Sequence, residues 1–127
     1  MKLEKIKPPD SSGQLKATIH ITGKLGFSIG AIKAMNIMDN AYIQVAVNSE
    51  EGDDDNLYIF ITNKEDENTL KINKAGSYYY VNTKALFDKL EIDYRKKKII
   101  FDIVEIEYES TRVFKLIRRE KDRKKVK

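Results

Sequence analysis

The stretch TGKLGFSIGAIKAMNI, residues 22–37, decides how the rest of the chain is read. Gly23 and Gly26 interrupt an extended segment, and Ser28 then offers a side-chain oxygen to the free N–H groups of a helix start. Phe27 and Ile32 flank Ser28 at the N′ and N4 positions of a hydrophobic staple, so a short helix is expected from about Ile29 to Asn36. Upstream, residues 17–22 alternate as a strand with Ile19 and Ile21 on one face and His20 on the other. Downstream, residues 41–48 alternate Ile43, Val45 and Val47 against Tyr42, Gln44 and Ala46, residues 57–62 alternate Leu57, Ile59 and Ile61 against Tyr58 and Phe60, and the two are expected to pair as a hairpin. Their connection, residues 49–56, is rich in acidic residues that repel one another and avoid strands. The unit therefore reads strand, glycine bend, capped helix, strand, strand.

The second half repeats that order. Residues 70–74 form a weak strand, Gly76 breaks it, residues 78–81 are extended, and Asn82 is expected to cap a helix from Thr83 to about Glu91. Val81 and Leu86 repeat the staple, Leu86, Phe87 and Leu90 supply the buried stripe, and Ile92 closes the element as Ile37 does in the first half. Residues 98–108 and 112–118 form a second hairpin turning through Glu109, Ser110 and Thr111, with Glu105 and Glu107 placed to face Arg112 and Lys115. Gly23 and Phe27 have the spacing of Gly76 and Tyr80, which suggests an internal duplication. A unit of about 50 residues is too small to bury a stable core alone. The expected fold class is α+β and β-rich: two tandem β-α-β-β units, residues 15–63 and 69–118, packed with two-fold pseudosymmetry as one compact barrel or sandwich-like domain. A flexible arm (residues 1–14) and a basic tail (119–127) are expected to flank it. Only Val126 is apolar in that tail, so it should be dispensable for folding.

The first unit resembles the AbrB/SpoVT-type swapped-hairpin family, small dimeric DNA-binding regulators and antitoxins. The likeness is carried by Thr22, Gly23, Lys24, Leu25, Gly26, Phe27 and Ser28, followed by Ala31 to Ile37. What it implies is a pseudo-dimer whose basic strands and loops face DNA, with Lys24 at a position where the family often carries a DNA-contacting basic residue.

Charge points to the other end of the chain. The 127 residues carry a net charge of +4, but residues 112–127 hold nine basic residues against Glu120 and Asp122, leaving the remainder net negative. Positive potential concentrated at one end is the footprint of a polyanion contact. The candidate phosphate contacts are Lys24, the basic turn Arg95, Lys96, Lys97 and Lys98, and Arg118, Arg119, Lys121, Arg123, Lys124, Lys125 and Lys127. Tyr78, Tyr79 and Tyr80 offer aromatic faces, but alternate residues of the triplet must point to opposite sides, and most of these rings are expected to pack in the core.

Much chemistry is excluded. Zero cysteines and one histidine remove thiol nucleophiles, thiolate zinc sites and His-rich metal centres. No Walker or dinucleotide glycine pattern follows Gly23 and Gly26, and Asp88, Asp102, Glu105 and Glu107 alternate with apolar residues as solvent-facing groups do. The acidic residues between Glu50 and Asp55 have a hard-cation composition without the EF-hand order, and read as a solvated hairpin tip. No enzyme activity, catalytic residue, cofactor, metal or small-molecule substrate is expected. No apolar run reaches about 20 residues and residues 1–14 lack the apolar centre of a signal peptide, so the expected location is cytoplasmic, or the virion if the chain is phage-encoded, with no membrane partner. The expected function is non-enzymatic nucleic-acid binding, with DNA or RNA as partner. The alternative is a structural or assembly protein, a phage or mobile-element component, working through protein–protein contacts and self-association.

Overall fold

Short alternating segments separated by turn residues leave each strand with one apolar face to bury, and eight such faces are buried together by closing the sheet. The computed structural model describes residues 1–5, 15–37, 42–50 and 54–122. Its elements are β1 (Lys16–Ile19), β2 (Leu25–Phe27), α1 (Ile29–Ala34), β3 (Tyr42–Ala46), β4 (Leu57–Thr62), β5 (Thr69–Ala75), β6 (Tyr78–Val81), α2 (Lys84–Lys89), β7 (Lys97–Tyr108) and β8 (Thr111–Asp122). The strands form one closed antiparallel barrel in the order β1-β2-β6-β5-β3-β4-β8-β7, and β7 pairs back onto β1. Inward residues from every strand meet in one core, with Ile19, Leu25, Ile43, Ile59, Val81, Ile99, Phe101 and Leu116 inaccessible to solvent. Each contributes about 1.5–3 kcal/mol by leaving water.

The helices close opposite ends. Next to α1, the Ser28 N–H donates to the Lys16 carbonyl, and Arg112 Nη2 reaches the Ala34 carbonyl at 2.6 Å. Thr83, immediately before α2, is fully buried and donates its hydroxyl to the Gly23 carbonyl at 2.8 Å. Gly23 itself has φ +89°, and a Cβ there would lie 2.8 Å from Lys84 Cβ, so glycine serves both the turn and the close approach of α2. Both helices end alike. Asn36 and Glu91 adopt positive φ, and the following Ile37 and Ile92 donate back to Ile32 and Phe87, which is the 6→1 bond of a Schellman motif with a buried apolar residue behind it.

Several sequence expectations shift. The first strand stops at Ile19, and Ile21 falls in the turn with 54% of its surface exposed instead of sharing the buried face. The Ser28 cap is present, its side chain accepting the Ala31 N–H at 3.2 Å. The α2 cap residue is Thr83, not Asn82, so N4 is Phe87 and the Val81–Leu86 staple is replaced by direct burial of Phe87. Both Asn and Thr suit a cap position; burial of Thr83 against Gly23 settles the register. At the other end of the chain, β8 continues through Asp122, pairing Arg119 with Ile100 and Lys121 with Lys98. Residues 119–122 therefore belong to the barrel ladder and not to a tail. Residues 1–5 are exposed and outside any strand or helix, while the rest of the expected arm (6–14), the last five residues (123–127) and residues 51–53 of the acidic connection lie outside the described residues.

Candidate nucleic-acid interface

Antiparallel pairing of β7 with β8 brings together the two basic clusters that are some twenty residues apart in sequence. Lys98 stands directly opposite Lys121. Ile99 is buried, so its neighbour Lys98 points outward, and Lys121 shares that face. Both are exposed, and neither has an acidic partner among the described residues. Like charges directly opposed across a ladder repel, so this pair costs the isolated barrel stability. Beside them, the turn residues Arg95 and Lys96 are also exposed. Arg95 lies 4.9 Å from the Tyr94 ring centroid and only 3.8 Å at nearest from Asp88.

Asp88 anchors this turn. It accepts from Lys84 Nζ at 2.9 Å and from the Tyr94 hydroxyl at 2.6 Å. The Lys84 bond, then the Tyr94 bond, hold its carboxyl below the ordinary aspartate range, and the same bond to Asp88 raises the Tyr94 phenol. The buried Tyr94 ring thus ties the basic turn to α2.

Other expected contacts are compensated internally. Arg119 makes a two-pronged pair with Asp102, Nε at 2.8 Å and Nη2 at 3.0 Å. Lys97 lies 3.8 Å from Glu120. Arg118 is a correction of role, because alternation turns it inward opposite Phe101, where its side chain is only 15% exposed and binds Glu120 at 2.6 Å. Its Nε is buried without a partner at the rim of a cleft of about 350 Å³ that Asp54, Asp55, Leu90 and Ile92 also line. Arg123, Lys124, Lys125 and Lys127 lie outside the described residues.

Lys24 occupies a separate place, on the β1–β2 turn, with Nζ 4.8 Å from the Tyr80 ring centroid. Tyr78 stacks on Tyr80 at 5.8 Å with 20° between planes, whereas Tyr79 packs against the core. His20 is exposed, one residue past the end of β1 and not within the strand. In the acidic connection, Asp54 accepts from the Asn56 N–H and the Tyr58 hydroxyl, which lower its carboxyl, so it orders the loop. Among the described residues no group of His, Asp and Glu could hold a metal ion, and no helix is long and apolar enough to cross a membrane. The Glu105 pairing with Arg112 forms as expected, but Lys115 lies opposite Val104 and over the Tyr58 ring at 5.9 Å. Sequence reading passed over Tyr94 and Asp88 as parts of this site, because their convergence depends on how α2 folds over the turn. No family model matches the chain, and no match was found among curated proteins or solved structures.

Proposed function

We propose that the chain is a non-enzymatic nucleic-acid-binding protein whose phosphate contacts are made by the Arg95–Lys96 turn with Lys98 and Lys121. The observation that carries this reading is the uncompensated Lys98–Lys121 pair, held on the outside of a rigid ladder beside the basic turn. A phosphate between two such ammonium groups relieves their repulsion and releases counterions. A duplicated, swapped-hairpin architecture fits the same reading. Exchanging β1–β4 for β5–β8 returns the same set of neighbouring strands, and the two Schellman endings lie at equal offsets. Both support the AbrB/SpoVT-type resemblance.

The test is fluorescence anisotropy with labelled DNA over a salt series. Wild type should bind at low salt, with log affinity falling linearly against log salt. The double variant K98Q/K121Q should lower affinity and flatten that slope by roughly 2, about one unit for each phosphate contact. Absence of binding at low salt, or an unchanged slope in a folded variant, overturns the reading. Assembly through protein contacts is favoured instead by Val104 and Tyr108, exposed by 43% and 55% on the outer face of β7, and light scattering that showed defined oligomers without DNA binding would select it.

A further inference from the structure

We infer that the interface takes single-stranded rather than duplex nucleic acid, along a path that crosses the outside of the barrel from β8 to β6 and ends on the Tyr78–Tyr80 ring pair. The inference rests on the phosphate-binding reading above and adds the class of polymer.

Register defines the path. Lys121 pairs with Lys98; one step beyond the Ile19–Ile99 pair, Lys98 comes level with His20. The His20 N–H donates to the Lys24 carbonyl at 2.8 Å, which makes Lys24 the next outward position. Adjacent strands are about 4.8 Å apart, so Lys121, Lys98, His20 and Lys24 form a row about 15 Å long on four neighbouring strands. The next row inward runs Ile100, Thr18, Gly26 and Tyr80 through the pairs Ile100–Thr18, Thr18–Gly26 and Gly26–Tyr80. Lys24 joins the two rows by sitting over Tyr80 at 4.8 Å.

The end of the path is shaped for a planar ligand. A side chain at position 26 would collide with the Tyr78 hydroxyl, so Gly26 lets the Tyr78 ring reach over the outer surface of the sheet. Tyr78 is 43% exposed and Tyr80 half-buried beneath the Lys24 ammonium. Aromatic faces beside a cation hold bases that are free to leave their own stack, and every base has such a face. In a duplex the bases are already stacked and paired, and the ring pair gains nothing from them. Lysines alone would accept either polymer; the tyrosines at the end of the lysine row create the preference.

The test compares a labelled oligo-dT with a duplex of the same length and with heparin, which carries anionic charge and no bases. Wild type should bind oligo-dT more tightly than duplex. Y78A/Y80A should weaken oligo-dT binding about tenfold while leaving duplex and heparin binding unchanged. Because Tyr80 is half-buried, Y78L provides a milder variant that keeps the apolar cover and removes the exposed ring face, and it should weaken oligo-dT binding in the same direction. Equal affinity for oligo-dT and duplex, or folded tyrosine variants that bind oligo-dT like wild type, overturns the single-strand inference and leaves the phosphate reading standing. Failure to bind any of the three polymers removes both.

Discussion

At the scale of single residues, the ionised Asp88 carboxylate is worth most in its bonds to Lys84 and Tyr94. Its folded-state pKa is lowered, so it stabilises the folded protein fully above the ordinary aspartate value of about 3.9, and that contribution is lost as pH falls through the lower folded value. Asp88→Asn should therefore lower the melting temperature near neutrality, and the gap to wild type should close as pH drops below about 4. Melting curves across the acid range check this; a gap constant with pH would mean that the carboxylate charge is irrelevant. Thr83 shows a different economy. It is fully buried, and its hydroxyl is satisfied by the Gly23 carbonyl sixty positions away. A buried hydroxyl without such a partner costs about 1–3 kcal/mol, so this bond fixes where α2 sits on the β1–β2 turn.

At the scale of elements, α2 provides the sharpest comparison. Phe87 is inaccessible to solvent and belongs to the core, whereas Leu86 is only half-buried against it. Phe87→Ala should destabilise by about 3–5 kcal/mol, and Leu86→Ala by less than half as much, as read from urea unfolding midpoints. Equal effects would mean that the helix is rotated by one position. That single position also marks where sequence reading lost its grip. Asn82 and Thr83 are both competent caps, and only the tertiary bond to Gly23 chooses between them. The β3–β4 and β7–β8 hairpins were legible, because core-facing apolar residues recur at every second position and strand-averse turns join the strands. The reach of β8 was not. Arg119 to Lys121 read as tail because every residue is charged, yet their cross-strand partners Ile100, Ile99 and Lys98 hold them in register. The inward turn of Arg118 and the meeting of Lys98 with Lys121 follow from that register, and no local signal announces either.

At the scale of the whole molecule, the four hairpins alternate between the two halves of the chain around the barrel. β2 meets β6, β5 meets β3, β4 meets β8, and β7 meets β1, so the hairpins of either half have no ladder with each other. Residues 15–63 or 69–122 expressed alone should accordingly show no cooperative thermal transition, and mixing the two should restore one. A half that melts cooperatively by itself would contradict the interleaving. The same connectivity unfolds in time during synthesis. β1 begins at Lys16 and its outer neighbour β7 at Lys97. A ribosome adding about 5–20 residues per second therefore leaves that edge without its partner for roughly 4–16 s. The edge of β4 likewise waits for β8. The nascent first half emerges as two unfinished hairpins with apolar faces and open hydrogen-bonding rims, the condition in which strands recruit wrong neighbours. Charge does little to keep those rims apart until the last hairpin arrives, because Lys16 is the one charged residue within β1–β4. For this barrel the hazardous interval comes before translation ends, and crowding of nascent chains on one message is the circumstance that would expose it.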